Sequence, residues 1–534
     1  MLEQDHREAY KYNMYSFNSR AGDSRWATDE EMKKSLRRIR IAEEAYPSGG
    51  VPLISNGKEA YVDDSDSHSL IIGATGSKKT RMLCMPLLNI LAKAGESFIT
   101  TDPKGELYER TSGILSKHGY NVVVLNFRAP SYGAQWNPLE LPYKFYRSGE
   151  KDKAAELIND FVTGITLGSD SLQPFWERSA AQCCFGLLWL MMECAEAEQI
   201  NVRSLSYLRS FSQLENQAGP LYELYKNLNP QTLAAISLSG TMNAADVTRA
   251  SIGITLDQCI RVFSAQQNLS EMLSQSSFDL ERIGQEKTAI FIIMPDEKST
   301  YHFLVSLFVK QCYEALIHSA YNFPQHMLPV RVNFVLDEFA NMPTIPDMSN
   351  MISAARSRNI RFSLVVQGEY QLVAKYKEDA QTIKGNCSNW IFLTSRELPL
   401  LREVSDMCGS INNVPLISVS QLQRLNKERG ESLVFHARQY PFISLLADID
   451  QYEFEKIASI AIPKRNRQYV RVFDLADYLS THTTEQCKQL FKDEFTEINS
   501  CDQGAVALAD REQAELLHNL DEQYELYKRN TVKP

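Results

Sequence analysis

The chain has 534 residues, 44% hydrophobic, 23% charged and 10% aromatic, an ordinary globular composition that excludes a disordered, collagen-like or disulfide-scaffold protein. The length exceeds what one hydrophobic core usually serves, so two or three domains are expected. With 56 Lys+Arg against 66 Asp+Glu the net charge is −10, which argues against a protein that coats nucleic acid over its whole surface and leaves room for one with a local basic channel.

Residues 1–60 read as a peripheral N-terminal segment. Thr28 and Glu31 make a capping box that opens a helix through EEMKKSLRRIRIAEEAY. Lys33, Lys34, Arg37, Arg38 and Arg40 cluster on it. The ordinary reading of that cluster is a solvated helix face; the functional one is contact with phospholipid headgroups or DNA phosphates.

From residue 61 to 144 apolar runs of strand length alternate with helical stretches: HSLIIGATG, ESFITTD and YNVVVLNF. TAIFIIMPD, VRVNFVLDE, IRFSLVVQ and NWIFLTS continue the series over 276–480. Such runs, buried on both faces and separated by helices, predict a mainly parallel sheet in an α/β domain. Between the two parts, residues 145–275 carry only helical patterns, among them KDKAAELINDFVTGI, ERSAAQCCFGLLWLMMECAEAEQ, SLSYLRSFSQLE and PLYELYKNL. An all-helical insertion that splits the α/β domain is expected. Residues 481–534 read as an acidic, helix-prone tail ending in REQAELLHNLDEQYELYKR.

Ten cysteines, none at C-x-x-C spacing or grouped with histidine as zinc ligands are, read as reduced thiols of a cytosolic protein. The first residues, MLEQDHREAYKYNMY, hold no signal-peptide apolar region. The most apolar helical run, Cys183 to Met192, is about half of what a bilayer span needs. The chain is therefore expected to be soluble, or to reach a membrane through a partner.

Two motifs carry the chemistry. HSLIIGATGSKKTRMLCMPLL is an apolar strand, a glycine-rich loop and a helix, the setting in which backbone N–H groups and a helix N-terminus cradle phosphates. Aligned to G-x-x-x-x-G-K-[ST], the P-loop is Gly73, Ala74, Thr75, Gly76, Ser77, Lys78, Lys79 and Thr80. Lys79 would reach the β- and γ-phosphates of ATP, and the Thr80 hydroxyl would bind Mg²⁺. Lys78 stands where the pattern has its second glycine, so either the side chain crowds the triphosphate or its charge assists binding.

VRVNFVLDEF ends an apolar strand in Asp337 and Glu338, as a Walker B strand does. Asp337 would hold Mg²⁺ through water, and Glu338 would orient and deprotonate the attacking water. The helical insertion accounts for the long separation of the two motifs. Further on, IRFSLVVQ ends in Gln367, placed as a sensor of the γ-phosphate or the lytic water. The intervening SNMISAARSRNIRF carries Arg356, Arg358 and Arg361. One arginine on such a helix would enter a neighbouring subunit's site; singly, each reads as a surface or salt-bridge residue.

Together, GATGSKKT, TDPKGELYE, PFWERSAAQ, IMPDE, LDEFANMPTIPDM, SAARSRNI, VVQ and TIKGNCSNWIFL resemble the coupling proteins of type IV secretion and conjugation systems, from about Arg25 to about Ser395. The resemblance implies a membrane-associated, homo-hexameric ATPase with a RecA-like P-loop domain split by an all-α domain. Its partners would be single- or double-stranded DNA, a relaxase or effector protein, and the components of the secretion channel. By the family's pattern Lys79, Thr80, Asp337 and Glu338 fall on nucleotide and Mg²⁺ positions, Gln367 on the sensor and Arg356 on the trans-acting arginine. Family members usually begin with transmembrane segments and this sequence shows none, so a membrane-anchoring subunit is a further expected partner. Two other functions compete: a non-hydrolysing substrate receptor of the channel, motivated by Lys78, and a DNA translocase unconnected with secretion.

Overall fold

The computed structural model describes residues 24–481, apart from 167–173, 213, 215, 218, 296, 298 and 299. Nearly all of the expected acidic tail therefore lies outside the described residues. These residues form two compact units: 24–166, 196–204 and 260–472 make the first, and 174–195, 205–259 and 473–481 the second.

Thr28 does cap a helix, exchanging hydrogen bonds with Glu31. That helix ends at Lys34, however, and Arg37–Arg40 is a strand, β1. The long basic helix expected from the sequence is corrected by the alternation in RRIRI, which buries Ile39 and Ile41 and turns Arg38 and Arg40 outward. β1 pairs antiparallel in a small sheet of order β1-β3-β2 with β2 (Val51–Ser55) and β3 (Glu59–Asp63). There Arg37 and Arg38 are paired with Asp64 and Glu59.

All seven predicted apolar runs are strands of one sheet: β4 (His68–Gly73), β5 (Ser97–Asp102), β6 (Asn121–Asn126), β7 (Thr288–Ile293), β8 (Val332–Leu336), β9 (Ile360–Val366) and β10 (Cys387–Thr394). They run parallel. A two-stranded ribbon, β11 (Ser410–Ile411) and β12 (Val414–Pro415), follows. Then β13 (Glu431–His436) and β14 (Phe442–Leu445) extend the sheet antiparallel, giving the order β14-β13-β10-β4-β9-β8-β5-β7-β6. β4, β5, β7, β8 and β9 are buried along their whole length, as a sheet covered on both faces requires. This is the expected mainly parallel α/β architecture.

The order sets the site. β4 has β10 on one side and β9 on the other, with β8 next to β9. Because these strands are parallel, their carboxyl ends share one edge, where open α/β sheets bind ligands. At the opposite edge a buried ion pair joins Arg361 of β9 to Glu96, Nη2 to Oε2 at 2.5 Å. Arg361 also donates to Asn333 Oδ1 and to the Gly49 carbonyl, and Glu96 accepts from Gly49 N–H.

The described residues between 145 and 275 contain helices and no strand. Helix Lys151–Thr166 falls in the first unit. In the second, helix Pro174–Cys194 packs on Leu233–Met242 so closely that a Cβ at Gly186 would meet Leu238 Cγ at 2.7 Å.

Candidate functional site

Gly73 ends β4, and the P-loop turns from there into a helical segment whose first turns, Thr80–Cys84, are π-helical before the α-helix Met85–Ala94. Insertions of this kind recur at functional sites. A Cβ at Gly73 would lie 2.5 Å from Ser77 Oγ, so the loop closes only over glycine there. Gly76 and Lys78 both adopt left-handed backbone, φ 77° and 66°. That explains why the pattern favours glycine at position 78: the demand is conformational, and a lysine meets it at some cost. The Lys78 ammonium pairs with Glu428 Oε2 at 2.6 Å, which holds the Glu428 carboxyl below its usual range.

Lys79 is buried and its Nζ donates to the Gly73 carbonyl at 2.5 Å. Thr80 Oγ1 donates to Asp337 Oδ2 at 3.1 Å, joining the P-loop to the end of β8. Asp337 is 4% exposed. Burial, with Glu338 beside it, pushes its carboxyl up to about 6, against the pull of Lys79 and the Thr80 hydrogen bond. A buried carboxylate facing a lysine and a hydroxyl is a hard-oxygen site of the kind that suits Mg²⁺.

Glu338 sits in left-handed backbone, φ 55°, with its N–H donating to Asp337 Oδ1 at 2.9 Å. Its carboxylate accepts from Gln367 Nε2 at 2.8 Å and from Asn341 Nδ2 at 2.9 Å. Gln367 Oε1 in turn accepts from Thr75 Oγ1 at 2.9 Å. One chain of hydrogen bonds therefore crosses the ends of β4, β9 and β8. A strained non-glycine backbone at an acid so held is a mark of functional sites.

The three arginines of SAARSRNIRF separate. Arg361 lies on β9 and is buried in the Glu96 ion pair, so it belongs to the core and not to a helix surface. Arg358 donates to Ser357 Oγ and the Ala354 carbonyl. Arg356 is exposed in a 3₁₀ turn just before β9, whereas Gln367 follows β9. Seven extended residues separate them, roughly 20 Å, so Arg356 lies at the far edge of the sheet from its own chain's site.

Asp102 of the DPKGE segment ends β5 and accepts from Tyr108 N–H at 2.9 Å, while Gly105, φ 79°, leads into helix Glu106–Lys117. In LDEFANMPTIPDM, Asp347 begins helix Met348–Ala354 and pairs with the buried Lys310 at 2.9 Å. Sequence reasoning missed the far wall of the site. Arg81, one residue past the P-loop, is clamped by Asp448 and Asp450, and a cleft of about 520 Å³ lies between the P-loop, the end of β10 and the segment holding Gln423 and Lys427. The only local signal was the departure at Lys78, whose partner Glu428 lies in that segment.

The sequence profile of the type IV secretory system conjugative DNA transfer family matches residues 25–414, well over half of the chain. The chain belongs to this family. Two Escherichia coli relatives, each a conjugal transfer protein TraG, are 23% and 22% identical over 396 residues, 68% of this chain. The matched stretch spans 61% and 60% of those relatives' own length. Among solved structures, the plasmid coupling protein TrwB with a non-hydrolysable ATP analogue aligns at TM-score 0.58 and 14% identity, covering 86% of this chain and 99% of that one. TrwB with ADP and Mg²⁺ aligns at 0.55 and 13%, covering 82% and 95%. At such identities the likeness speaks to the fold. The family match takes in the P-loop, Asp337, Glu338, Arg356 and Gln367, and stops before Gln423 and Glu428. No helix among the described residues is long and apolar enough to cross a membrane.

Proposed function

We propose that the chain is the ATP-hydrolysing coupling protein of a type IV secretion or conjugation system. It recruits a relaxase bound to single- or double-stranded DNA, or a protein substrate, and drives it into the secretion channel. It works as a homo-hexamer at the cytoplasmic face of the bacterial inner or cell membrane, held there through an anchoring subunit. The all-helical unit contacts DNA or substrate.

The observation that carries this reading is the hydrogen-bonded chain Thr75–Gln367–Glu338 beside the Thr80–Asp337 bond. It joins a phosphate loop, a metal position and a water-activating acid on three adjacent strand ends. Lys79 exchanges the Gly73 carbonyl for the β- and γ-phosphate oxygens. Thr80 and Asp337 hold Mg²⁺, which when bound offsets charge on those oxygens. Glu338 takes a proton from a water aligned by Gln367 as the water oxygen bonds to the γ-phosphorus and the bond to the ADP oxygen breaks. Arg356, remote from its own site, reaches the neighbour's nucleotide in the ring. Engagement of Lys78 by Glu428, and not by a group of the P-loop, favours hydrolysis over the receptor reading.

The test is steady-state ATP hydrolysis with and without single-stranded DNA. DNA-stimulated turnover that is lost in Lys79→Ala supports the proposal. No turnover in rings verified by native mass spectrometry would sink it and leave the receptor.

A further inference from the structure

Between Glu338, at the carboxyl end of β8, and Arg356, just before the parallel strand β9, the chain crosses back over the sheet. Pro343 and Pro346 fix their own φ, so this stretch has few conformations to choose from. Met342, Ile345, Met348, Met351 and Ile352 along it are buried. Helix His302–Ala320 reaches the stretch three times. Ser306 Oγ donates to the Pro343 carbonyl at 2.9 Å, Lys310 Nζ to Asp347 Oδ2 at 2.9 Å, and the Tyr313 hydroxyl to the Met351 carbonyl at 3.2 Å. Positions 306, 310 and 313 share one helix face, so a single element fixes the whole crossing.

A second helix, Glu369–Tyr376, begins two residues after Gln367 and also holds the crossing. Lys375 donates to the Met342 carbonyl. Tyr376 is buried and makes two contacts of different kinds. Its ring stacks on Phe339, the residue after Glu338, with 5.3 Å between centroids and 11° between planes. Its hydroxyl accepts from the buried Ile345 N–H at 3.1 Å. The ring therefore supports the acid of this chain's own site, and the hydroxyl fixes the path of the segment that leads to Arg356. We propose that Tyr376 is a positioning residue for Arg356, its hydroxyl setting where this chain presents the arginine to the neighbouring subunit's nucleotide. Charge developing on a phosphoryl group is stabilised only by a cation already in place, and an error of about 1 Å in such a group is costly. The inference rests on the trans-acting reading of Arg356.

Rings of the full chain mixed from two subunit types test it. Lys79→Ala subunits supply Arg356 and hydrolyse nothing themselves, while Arg356→Ala subunits keep an intact site and receive the arginine. ATP turnover in mixed rings therefore reports the arginine acting across the interface. Tyr376→Phe keeps the ring on Phe339 and removes only the hydroxyl. Placed in the supplying subunits it is expected to lower turnover about tenfold, and placed in the receiving subunits to leave it within about twofold. Ser306→Ala, which frees the Pro343 carbonyl of the same crossing, should show the same asymmetry, and it decides the matter if Tyr376→Phe fails to assemble. A merely structural role would lower turnover alike from either side. That equality would overturn the assignment, as would a loss confined to the receiving subunits or no loss from either. Parent rings without turnover would overturn the trans-acting reading of Arg356 itself, and this inference with it.

Discussion

Lys78 Nζ lies 2.6 Å from Glu428 Oε2, and the lysine that makes this pair holds its backbone at φ 66°. The pair is partly exposed, chiefly on the Glu428 side, and such pairs contribute little. The backbone strain is the larger effect, about 1 kcal/mol for a residue with a Cβ, partly offset by the entropy glycine loses on folding. Lys78→Gly is therefore expected to raise stability by at most about 1 kcal/mol in urea unfolding. Its affinity for ATP should stay near that of the wild type. A large gain in affinity would show that the side chain crowds the phosphates after all.

How much of this is legible in the sequence depends on how local each signal is. The seven parallel strands stand out because each is an apolar run buried on both faces, bounded by polar turns. The P-loop and the Asp337–Glu338 pair are legible because each is a short motif at a strand end. RRIRI misleads because a basic run after a capping box resembles a helix face, while its two isoleucines follow strand spacing. Arg361 is indistinguishable in sequence from Arg356, since its partner Glu96 is reached only through the neighbouring β8 and β5. β13 and β14, with the wall that brings Gln423 and Glu428 to the P-loop, depend on the sheet order and leave no local trace.

Glu338 accepts from both Gln367 and Asn341, so its carboxylate is aimed before substrate arrives. Glu338→Gln is expected to lower kcat by about 10² to 10⁴ while leaving the affinity for ATP nearly unchanged. Gln367→Ala removes one of the two donors to Glu338 Oε2, leaving Asn341, and breaks the link to Thr75, so a smaller loss, again in kcat, is expected. Steady-state kinetics beside equilibrium binding separates the two parameters. Equal losses in affinity and turnover would assign these residues to substrate binding.

Two buried groups give opposite pH dependences. His68, at the start of β4, donates from Nε2 to the Ile352 carbonyl and accepts at Nδ1 from Phe362 N–H, and burial lowers it to about 4. Because the folded pKa lies below the unfolded one, its contribution is full above about 6.5. It is lost as pH falls toward 4, a change of about 3 kcal/mol. Asp337, raised to about 6, works the other way: its contribution is full below the unfolded carboxyl value and is lost as pH rises through 6. Urea melts between pH 4 and 7 are expected to show His68→Gln losing less stability on acidification than the wild type. Asp337→Asn should be the more stable protein above pH 6, by about 3 kcal/mol or less. Parallel curves for all three proteins would mean that neither group titrates as its surroundings dictate.

Arg356 and Arg361, five residues apart, should answer to different measurements. Arg361 is 5% exposed and neutralises Glu96 between β9 and the strands beside it. Its removal leaves the buried Glu96 carboxylate with the more distant Arg331, at 3.6 Å, as its cationic partner, so Arg361→Ala is expected to cost about 3 kcal/mol in unfolding free energy. Arg361→Ala combined with Glu96→Ala should recover part of that loss, since the buried carboxylate is then gone and the remaining Arg331 is partly exposed. Arg356 is exposed and has no such duty. Arg356→Ala should melt with the wild type yet lower turnover per subunit in assembled rings, by about 10³ or more if it stabilises the transferring phosphoryl group. Mixing that variant with Lys79→Ala subunits decides between action within a chain and action across an interface. Rings that hold both types regain turnover at intact sites facing an Arg356 only if the arginine is supplied by the neighbour. Turnover in Arg356→Ala rings equal to that of the wild type would remove the trans role.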